Sequence, residues 1–147
     1  MTELLTMIKP WAFKHRTDIL YALNRAGKMI HTAEIFIPDS LLHCLYGRFK
    51  GQPFYDLLIS DMMNREGVIS IYDGNIEKFM ELKEGIREKL DSLLPAIPYA
   101  NANNVGYKRN SLHTSDSVEA AEREVGFTKE LLKNITRLVR TNSTWQM

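Results

Sequence analysis

The sequence predicts a single α+β domain of the ferredoxin-like type, an α/β sandwich in which helices pack on one face of a four-stranded antiparallel sheet. Runs with strand character and runs with helical character follow one another in the order β-α-β, helical hairpin, β-α-β, which is the split βαβ plan. The chain has 147 residues, of which 44% are apolar and 25% charged, as is typical of one compact domain with a buried core. We therefore expect residues 1–147 to form one domain.

The first half of the chain contains two predicted strands and three predicted helices. Proline cannot donate to a sheet ladder, so Pro10 marks the end of the first strand. Gly27 marks the end of the first helix, whose N-cap we assign to Thr17. The predicted elements are a strand over 3–9, a helix over 17–26, a strand over 28–37, and the two helices of a hairpin over 41–46 and 54–63.

The second half begins with a strand over 68–72, which Asp73 and Gly74 are expected to interrupt. Asp116 and Glu119 have the spacing of a capping box and predict a helix start between them. An apolar stripe on the tail helix could dock on the body of the domain or on another subunit. The remaining elements are a helix in which Ile76, Phe79, Met80, Lys83 and Ile86 repeat with helical period, a loop over 93–107, a helix over 117–126 and the tail helix over 129–140.

Charge and cysteine content exclude several classes of protein. The net charge is +1 and the basic clusters are short, so we expect no specific nucleic-acid partner and no membrane binding. The lone Cys44 cannot form an internal disulfide, and the N-terminus lacks the features of a secretory signal, which together indicate a cytoplasmic protein. Neither the P-loop motif nor the dinucleotide-binding glycine motif is present in the sequence.

His113 is the strongest candidate for a chemical role. A neutral imidazole is a nucleophile at pH 7, and a carboxylate on its other ring nitrogen would fix the tautomer. Glu124, in the following helix, is the candidate for that carboxylate, and Ser115 with the amides of the helix start could bind anionic oxygens. A histidine before a helix start is, however, usually structural, and without further information that alternative stands.

The residues around His113 strongly resemble the active-site signature of nucleoside diphosphate kinases, Asn-x-x-His-Gly-Ser-Asp-Ser followed by Glu-x-Ala-x-x-Glu. The matching run here is Asn110-Ser-Leu-His113-Thr-Ser-Asp-Ser117-Val-Glu-Ala-Ala-Glu-Arg-Glu124. Two other landmarks of the family occur in the right order, Ile8-Lys9-Pro10 and Tyr46 with Pro53-Phe54. The resemblance covers residues 5–127 except the stretch between Gly74 and Lys108.

This resemblance implies a role for each matching residue. His113 would receive the γ-phosphate of a nucleoside triphosphate and pass it to a nucleoside diphosphate, while Glu124 and Ser115 support its ring. The nucleotide-binding residues would be Lys9 and Asn110 at the sugar and phosphates, Tyr46 beside the phosphates, and Phe54 stacked on the base. The family uses Mg²⁺ held by the nucleotide phosphates, so we expect no metal ligand from the protein. Family members form homo-oligomers, either hexamers or tetramers.

The sequence departs from the family pattern in the stretch that binds the phosphates. Arg87 stands eight residues before Pro95, as the first family arginine does, and is its candidate counterpart. Asp91 and Leu93 replace the family's glycine and threonine, and residues 95–103 contain no second arginine. Lys108 and Arg109 are candidates to replace it, and Thr114 stands where the family has glycine after the histidine.

These observations leave three functional hypotheses. The first is a Mg²⁺-dependent nucleoside diphosphate kinase with a phosphohistidine intermediate and ping-pong kinetics. The second is a regulatory module of the same family that binds nucleotide with weak or no turnover. The third is a structural interaction domain, in which Lys9 is a surface lysine, Tyr46 and Phe54 are core aromatics, and Glu124 is a solvated helix acid.

Overall fold

The computed structural model describes residues 1–94 and 110–145, and along the last helix it describes side chains as far as residue 135. The predicted tail residues beyond 135 and the loop residues 95–109, including Lys108 and Arg109, therefore lie outside the described side chains. The elements follow in the order β1 (Thr2–Ile8), α1 (Arg16–Asn24), β2 (Lys28–Phe36), α2 (Asp39–Tyr46), α3 (Tyr55–Met62), β3 (Glu66–Gly74), α4 (Ile76–Leu90), β4 (Leu112–Thr114) and α5 (Val118–Trp145).

The four described strands form one antiparallel sheet in the order β2-β3-β1-β4, which confirms the predicted ferredoxin-like plan. β1 is central and pairs with β3 on one side and with β4 on the other. The register places His113 of β4 directly opposite Met7 of β1. The candidate nucleophile is therefore held in the sheet, whereas the sequence had placed it only before a helix.

Helices cover both faces of the sheet because the side chains of β1 alternate between two cores. Leu4 and Ile8 pack with the crossover helices α1 and α4, which share one face as the plan requires. Leu5 and Met7 face the opposite way, toward α2, α3 and α5. The helical hairpin and the C-terminal helix thus bury the face that the ferredoxin-like plan alone would leave open.

Tertiary packing extends several elements beyond their predicted ends. Asp73 and Gly74 were expected to break β3, but they pair with Glu3 and Thr2 of the central strand. The helix predicted to stop at Gly126 continues without a break, because Val125 and Thr128 on either side of it are buried. A glycine inside a helix costs about 1 kcal/mol, which packing of the flanking residues offsets. The two predicted C-terminal helices are one helix.

Two predicted helix caps are wrong. α1 begins at Arg16, directly after a 3-10 turn over Pro10–His15, so Thr17 lies inside the helix. α5 is capped by Ser117, whose hydroxyl accepts a hydrogen bond from the amide of Ala120 at 3.0 Å. The carboxylate of Asp116 is engaged elsewhere, as described below.

The apolar stripe of the tail begins on the body of the domain. Leu131 and Leu132 are half-buried against the core on the α2 side of the sheet. The first turn of the tail therefore contacts the body of the domain. Among the described residues, no helix is long and apolar enough to span a membrane.

Candidate active site

His113 lies on the α5 face of the sheet, where Glu124 approaches it. Its neighbour Leu112 enters the core on the other face, so strand alternation turns His113 toward α5. Nε2 of His113 lies 2.8 Å from Oε1 of Glu124. Only 9% of His113 and 2% of Glu124 are exposed, so Glu124 is not a solvated helix acid.

Ser115 ties this pair to the central strand. Its hydroxyl donates to Oε1 of Glu124 at 2.9 Å and accepts a hydrogen bond from the amide of Leu5 at 3.0 Å. The amide of Ser115 in turn donates to the carbonyl oxygen of Leu5 at 3.0 Å. One carboxylate oxygen is therefore held by two donors, and both donors are positioned by the sheet.

The hydrogen bond to Glu124 determines which ring nitrogen of His113 is free. A carboxylate oxygen accepts and cannot donate, so Nε2 carries the proton and Nδ1 keeps its lone pair. Burial lowers the pKa of His113 below 6.5, and the nearby charges of Lys9 and Lys83 lower it further, against the opposing effect of Glu124. The ring is accordingly neutral, with a free lone pair on Nδ1, at pH 7.

Lys9 follows β1 and extends the row of side chains formed by Leu5 and Met7 on the His113 side of the sheet. It is only 3% exposed and so is not a surface lysine. Its Nζ atom lies 5.3 Å from the centre of the Tyr46 ring, and that ring meets His113 edge-on with 5.6 Å between the ring centres. Burial, together with the charge of Arg87, lowers the pKa of Lys9 to about 7.

Arg87 reaches the strand that carries His113 from α4. Its Nε and Nη2 atoms donate to the carbonyl oxygen of Leu112 at 3.2 and 2.9 Å. Its Nη1 atom lies 3.5 Å from Oε1 of Glu84, an exposed carboxylate on the same helix. The candidate counterpart of the first family arginine is thus hydrogen-bonded to the residue that precedes the candidate nucleophile.

Seven buried side-chain polar atoms of the described residues have no hydrogen-bond partner. Two of them, Oη of Tyr46 and Oδ1 of Asn110, belong to the predicted nucleotide-binding residues. Asn110 is held in place by its backbone, because its carbonyl oxygen accepts from Nε1 of Trp11 at 2.7 Å. An unpartnered buried polar group costs about 1–3 kcal/mol, so such groups are typical of sites that a polar ligand completes.

Phe54 lies apart from the histidine. It immediately precedes α3, is half-buried, and packs against Phe49 with 5.5 Å between ring centres. No ring contact between Phe54 and His113 is found in the described part of the chain. A ligand touching both would have to extend from the sheet edge to the helical hairpin.

The structure also adds residues that sequence reasoning missed. Arg48, which follows α2, forms a 2.8 Å ion pair with Asp116, and this contact removes Asp116 from its predicted capping role. Asp91 accepts a hydrogen bond from the amide of Ser111 at 3.1 Å and so fixes the start of β4. Lys83 stands one helical turn before Arg87, a spacing that could have identified it as part of the same face.

No group of three or more His, Cys, Asp or Glu side chains within the described ranges could hold a metal ion. The site is instead rich in cations, with Lys9, Lys83 and Arg87 around His113. Such a set of donors suits anionic oxygen atoms, and a divalent ion could enter it bound to those oxygens.

The chain is similar to known proteins of one family. A family model described as nucleoside diphosphate kinase matches residues 3–130. A nucleoside diphosphate kinase of Rhodococcus opacus is 32% identical over 133 residues, which are 85% of this chain and 93% of the relative. That of Caldanaerobacter subterraneus is 30% identical over 129 residues, 85% of this chain and 91% of the relative.

Solved structures show the same fold. Nucleoside diphosphate kinase from Aquifex aeolicus superposes with a TM-score of 0.65 at 17% identity, covering 86% of this chain and 94% of the other. The Borrelia burgdorferi enzyme, solved as a transition-state mimic with bound vanadate and ADP, gives a TM-score of 0.59 at 19% identity, covering 85% and 84%.

Proposed function

This chain belongs to the nucleoside diphosphate kinase family, and on that premise we propose that His113 carries the phosphoryl group from a nucleoside triphosphate to a nucleoside diphosphate. The family and its named relatives identify a phosphotransferase that acts on nucleotides. The observation that carries the proposal is the buried His113–Glu124 pair, in which Nδ1 is the free, unprotonated nitrogen.

The reaction proceeds in two halves that use the same nitrogen. Nδ1 of His113 attacks the γ-phosphorus, a nitrogen–phosphorus bond forms, and the bond to the bridging oxygen breaks. The nucleoside diphosphate leaves with that electron pair, while the proton on Nε2 stays in the hydrogen bond to Glu124. A terminal oxygen of a second nucleoside diphosphate then attacks the same phosphorus, and Nδ1 regains its lone pair.

The proposed nucleotide contacts use the unsatisfied and cationic groups of the site. Lys9 and Arg87 bind phosphate oxygens, and Asn110 binds the sugar and phosphate end through its amide. Tyr46 flanks the phosphates with its unpartnered hydroxyl. Phe54 stacks on the base, and because every base presents a π-face this contact tolerates different bases. Mg²⁺ bound to the nucleotide would neutralise part of the phosphate charge without a ligand from the protein.

A regulatory module with weak or no turnover is the second candidate. Asp91 and Leu93 favour it, because they replace the glycine and the threonine that the resemblance implies in the phosphate-binding stretch. Asp91 places a carboxylate there, and Leu93 places an exposed apolar side chain there. Phosphoryl transfer depends mainly on positioning and on charge stabilisation, so the loss of one cation reduces its rate strongly. Rate measurement therefore separates the two candidates.

The experiment is to incubate the protein with γ-labelled ATP and Mg²⁺ and then to add an unlabelled nucleoside diphosphate. We expect acid-labile phosphate on His113, which the diphosphate removes as labelled triphosphate. His113→Ala should lose the label, whereas His31→Ala, an exposed histidine on β2, should keep it. Nucleotide binding without any label on His113 would assign the regulatory module instead.

The proposal extends to assembly and location. Ile30 and Phe36 are exposed apolar side chains on β2, an edge strand of the sheet, and they support a homo-oligomer. The lone thiol of Cys44 supports a cytoplasmic location. Light scattering of the purified protein would measure the number of subunits.

A further inference from the structure

We propose that Lys83 is a phosphate-binding residue of this site, whose ammonium group contacts the phosphate beside His113. The inference rests on the proposed function and extends it to a residue on α4 that lies outside all the motifs of the sequence. It accounts for a cationic contact that residues 95–103 do not contain.

The position of Lys83 in the helix is unusual for a charged residue. It falls within the apolar repeat of α4, where Phe79 and Ile86 enter the core, yet it carries a charge and is half-buried. Arg87 follows it by four residues, and two like charges at that spacing destabilise a helix. Local rules are most often broken at functional sites, where a ligand supplies the missing compensation.

Lys83 is a cation of the described site whose ammonium group remains available. Within the described residues it has neither a hydrogen bond nor an ion pair. Arg48 is paired with Asp116, and Arg87 is engaged with the carbonyl oxygen of Leu112 and with Glu84. Lys9 lies over the ring of Tyr46. An anion entering the site therefore finds the Lys83 ammonium group without a competing partner.

Lys83 lies one helical turn before Arg87, whose guanidinium group reaches the carbonyl oxygen of Leu112, the neighbour of His113 in β4. The charge of Lys83 lowers the pKa of both His113 and Lys9, so the three side chains share one electrostatic environment. Burial, followed by the charge of Arg87, lowers the pKa of Lys83 itself, while Glu84 and Asp116 partly oppose this effect. A cluster of like charges around a neutral histidine is stabilised when a polyanion binds.

A structural explanation competes with this one. A lysine can cover apolar surface with its stem while its ammonium group stays in water. Lys83→Met separates the two explanations, because methionine keeps an unbranched apolar stem and removes only the charge. Lys83→Arg restores the charge, and Lys78→Met is the matched control, an exposed lysine on the same helix.

The test measures phosphohistidine formation in a single turnover and the affinity for ADP and for adenosine. We expect Lys83→Met to slow labelling of His113 by about 100-fold and to weaken ADP while leaving adenosine unchanged. Lys83→Arg should recover most of both losses, and Lys78→Met should behave as wild type. Lys83→Gln provides a second uncharged variant if the methionine variant is poorly folded.

Two results would overturn the proposal. One is an unchanged labelling rate and ADP affinity in Lys83→Met, and the other is an equal loss of ADP and adenosine, which indicates a packing role. Failure of the proposed function is distinguishable from failure of the Lys83 proposal, because the wild-type protein would then carry no labelled phosphate on His113. The comparison of ADP with adenosine still decides the role of Lys83 in that case.

Discussion

Glu124 accepts a hydrogen bond from Nε2 of His113 at 2.8 Å, within a region from which solvent is almost excluded. The same carboxylate oxygen accepts the hydroxyl of Ser115, so the imidazole is fixed in both orientation and tautomer. This relationship turns a histidine on a short edge strand into a group with one free nitrogen.

Replacing Glu124 by glutamine should slow phosphohistidine formation by roughly 10- to 100-fold, because the amide holds the ring less firmly than a carboxylate. The hydrogen bond and the charge of Glu124 both raise the pKa of His113. In Glu124→Gln the acid limb of the pH–rate profile should therefore also move to lower pH. Rapid-quench labelling across pH measures both effects. Glu122→Gln, an exposed neighbour, is the control, and equal behaviour of the two variants would contradict the assignment.

At saturating nucleotide, where bound phosphate keeps Lys9 charged, the wild-type rate should be independent of pH near neutrality. It should fall on the acid side with a midpoint below 6.5, because only the unprotonated ring of His113 attacks.

The lowered pKa of His113 also affects the stability of the fold. Because the pKa of His113 is lower in the folded protein than in the unfolded chain, its contribution to stability is present above pH 6.5 and is lost as the pH falls through the lowered value. Urea unfolding should therefore show that acidification lowers the free energy of unfolding less in His113→Gln than in the wild-type protein. An equal decrease in both proteins would contradict this role of His113.

Nucleotide binding should take up protons through Lys9. Its pKa is about 7 in the free protein, so at pH 8 it is mostly neutral, and bound phosphate favours the charged form. We expect uptake approaching about one proton at pH 8 and an affinity for ADP that falls as the pH rises above about 7. Calorimetry in two buffers with different ionisation enthalpies measures this uptake. It should vanish in Lys9→Met but persist in Lys14→Met, an exposed lysine nearby.

Arg87→Ala should reduce both stability and rate, because the carbonyl oxygen of buried Leu112 loses both of its guanidinium donors. The Arg87 side chain is 26% exposed, so the free energy of unfolding should fall by only about 1–2 kcal/mol. Denaturant unfolding gives this difference, and labelling gives the rate. Arg25→Ala, at an exposed position after α1, should change neither quantity. A stable variant with normal labelling would show that Arg87 has no role in the site.

Phe54→Leu should weaken nucleotide binding by about 10-fold or more, because stacking on a base contributes roughly 1–3 kcal/mol. Leucine preserves the apolar contact with Phe49, so the hairpin should remain folded. ADP and GDP should be affected alike, whereas inorganic tripolyphosphate should bind as to wild type. Tyr21→Leu, an exposed aromatic residue on α1, is the control. Equal weakening of tripolyphosphate would mean that Phe54 acts on the phosphates or on the fold instead.

Local sequence signals determined the fold class and most elements. The pattern of apolar residues and the placement of a proline predicted β1. The alternation of strand and helix runs predicted the sheet that the structure confirms. They failed where distant partners decide the outcome. Gly126 lies inside a continuous helix because its neighbours are buried, and Asp116 pairs with Arg48 instead of capping α5.

The sequence by itself determined which residues are candidates for the chemistry, because the motifs around Lys9, Tyr46 and His113 are local patterns. Only the tertiary structure decided how they are arranged. It assigned Nε2 of His113 to Glu124, buried Lys9, and brought Lys83 to the same site from another element. The physical reason is that pKa, tautomer and charge clustering depend on distances and on solvent exclusion between elements remote in the chain, which local periodicity does not encode.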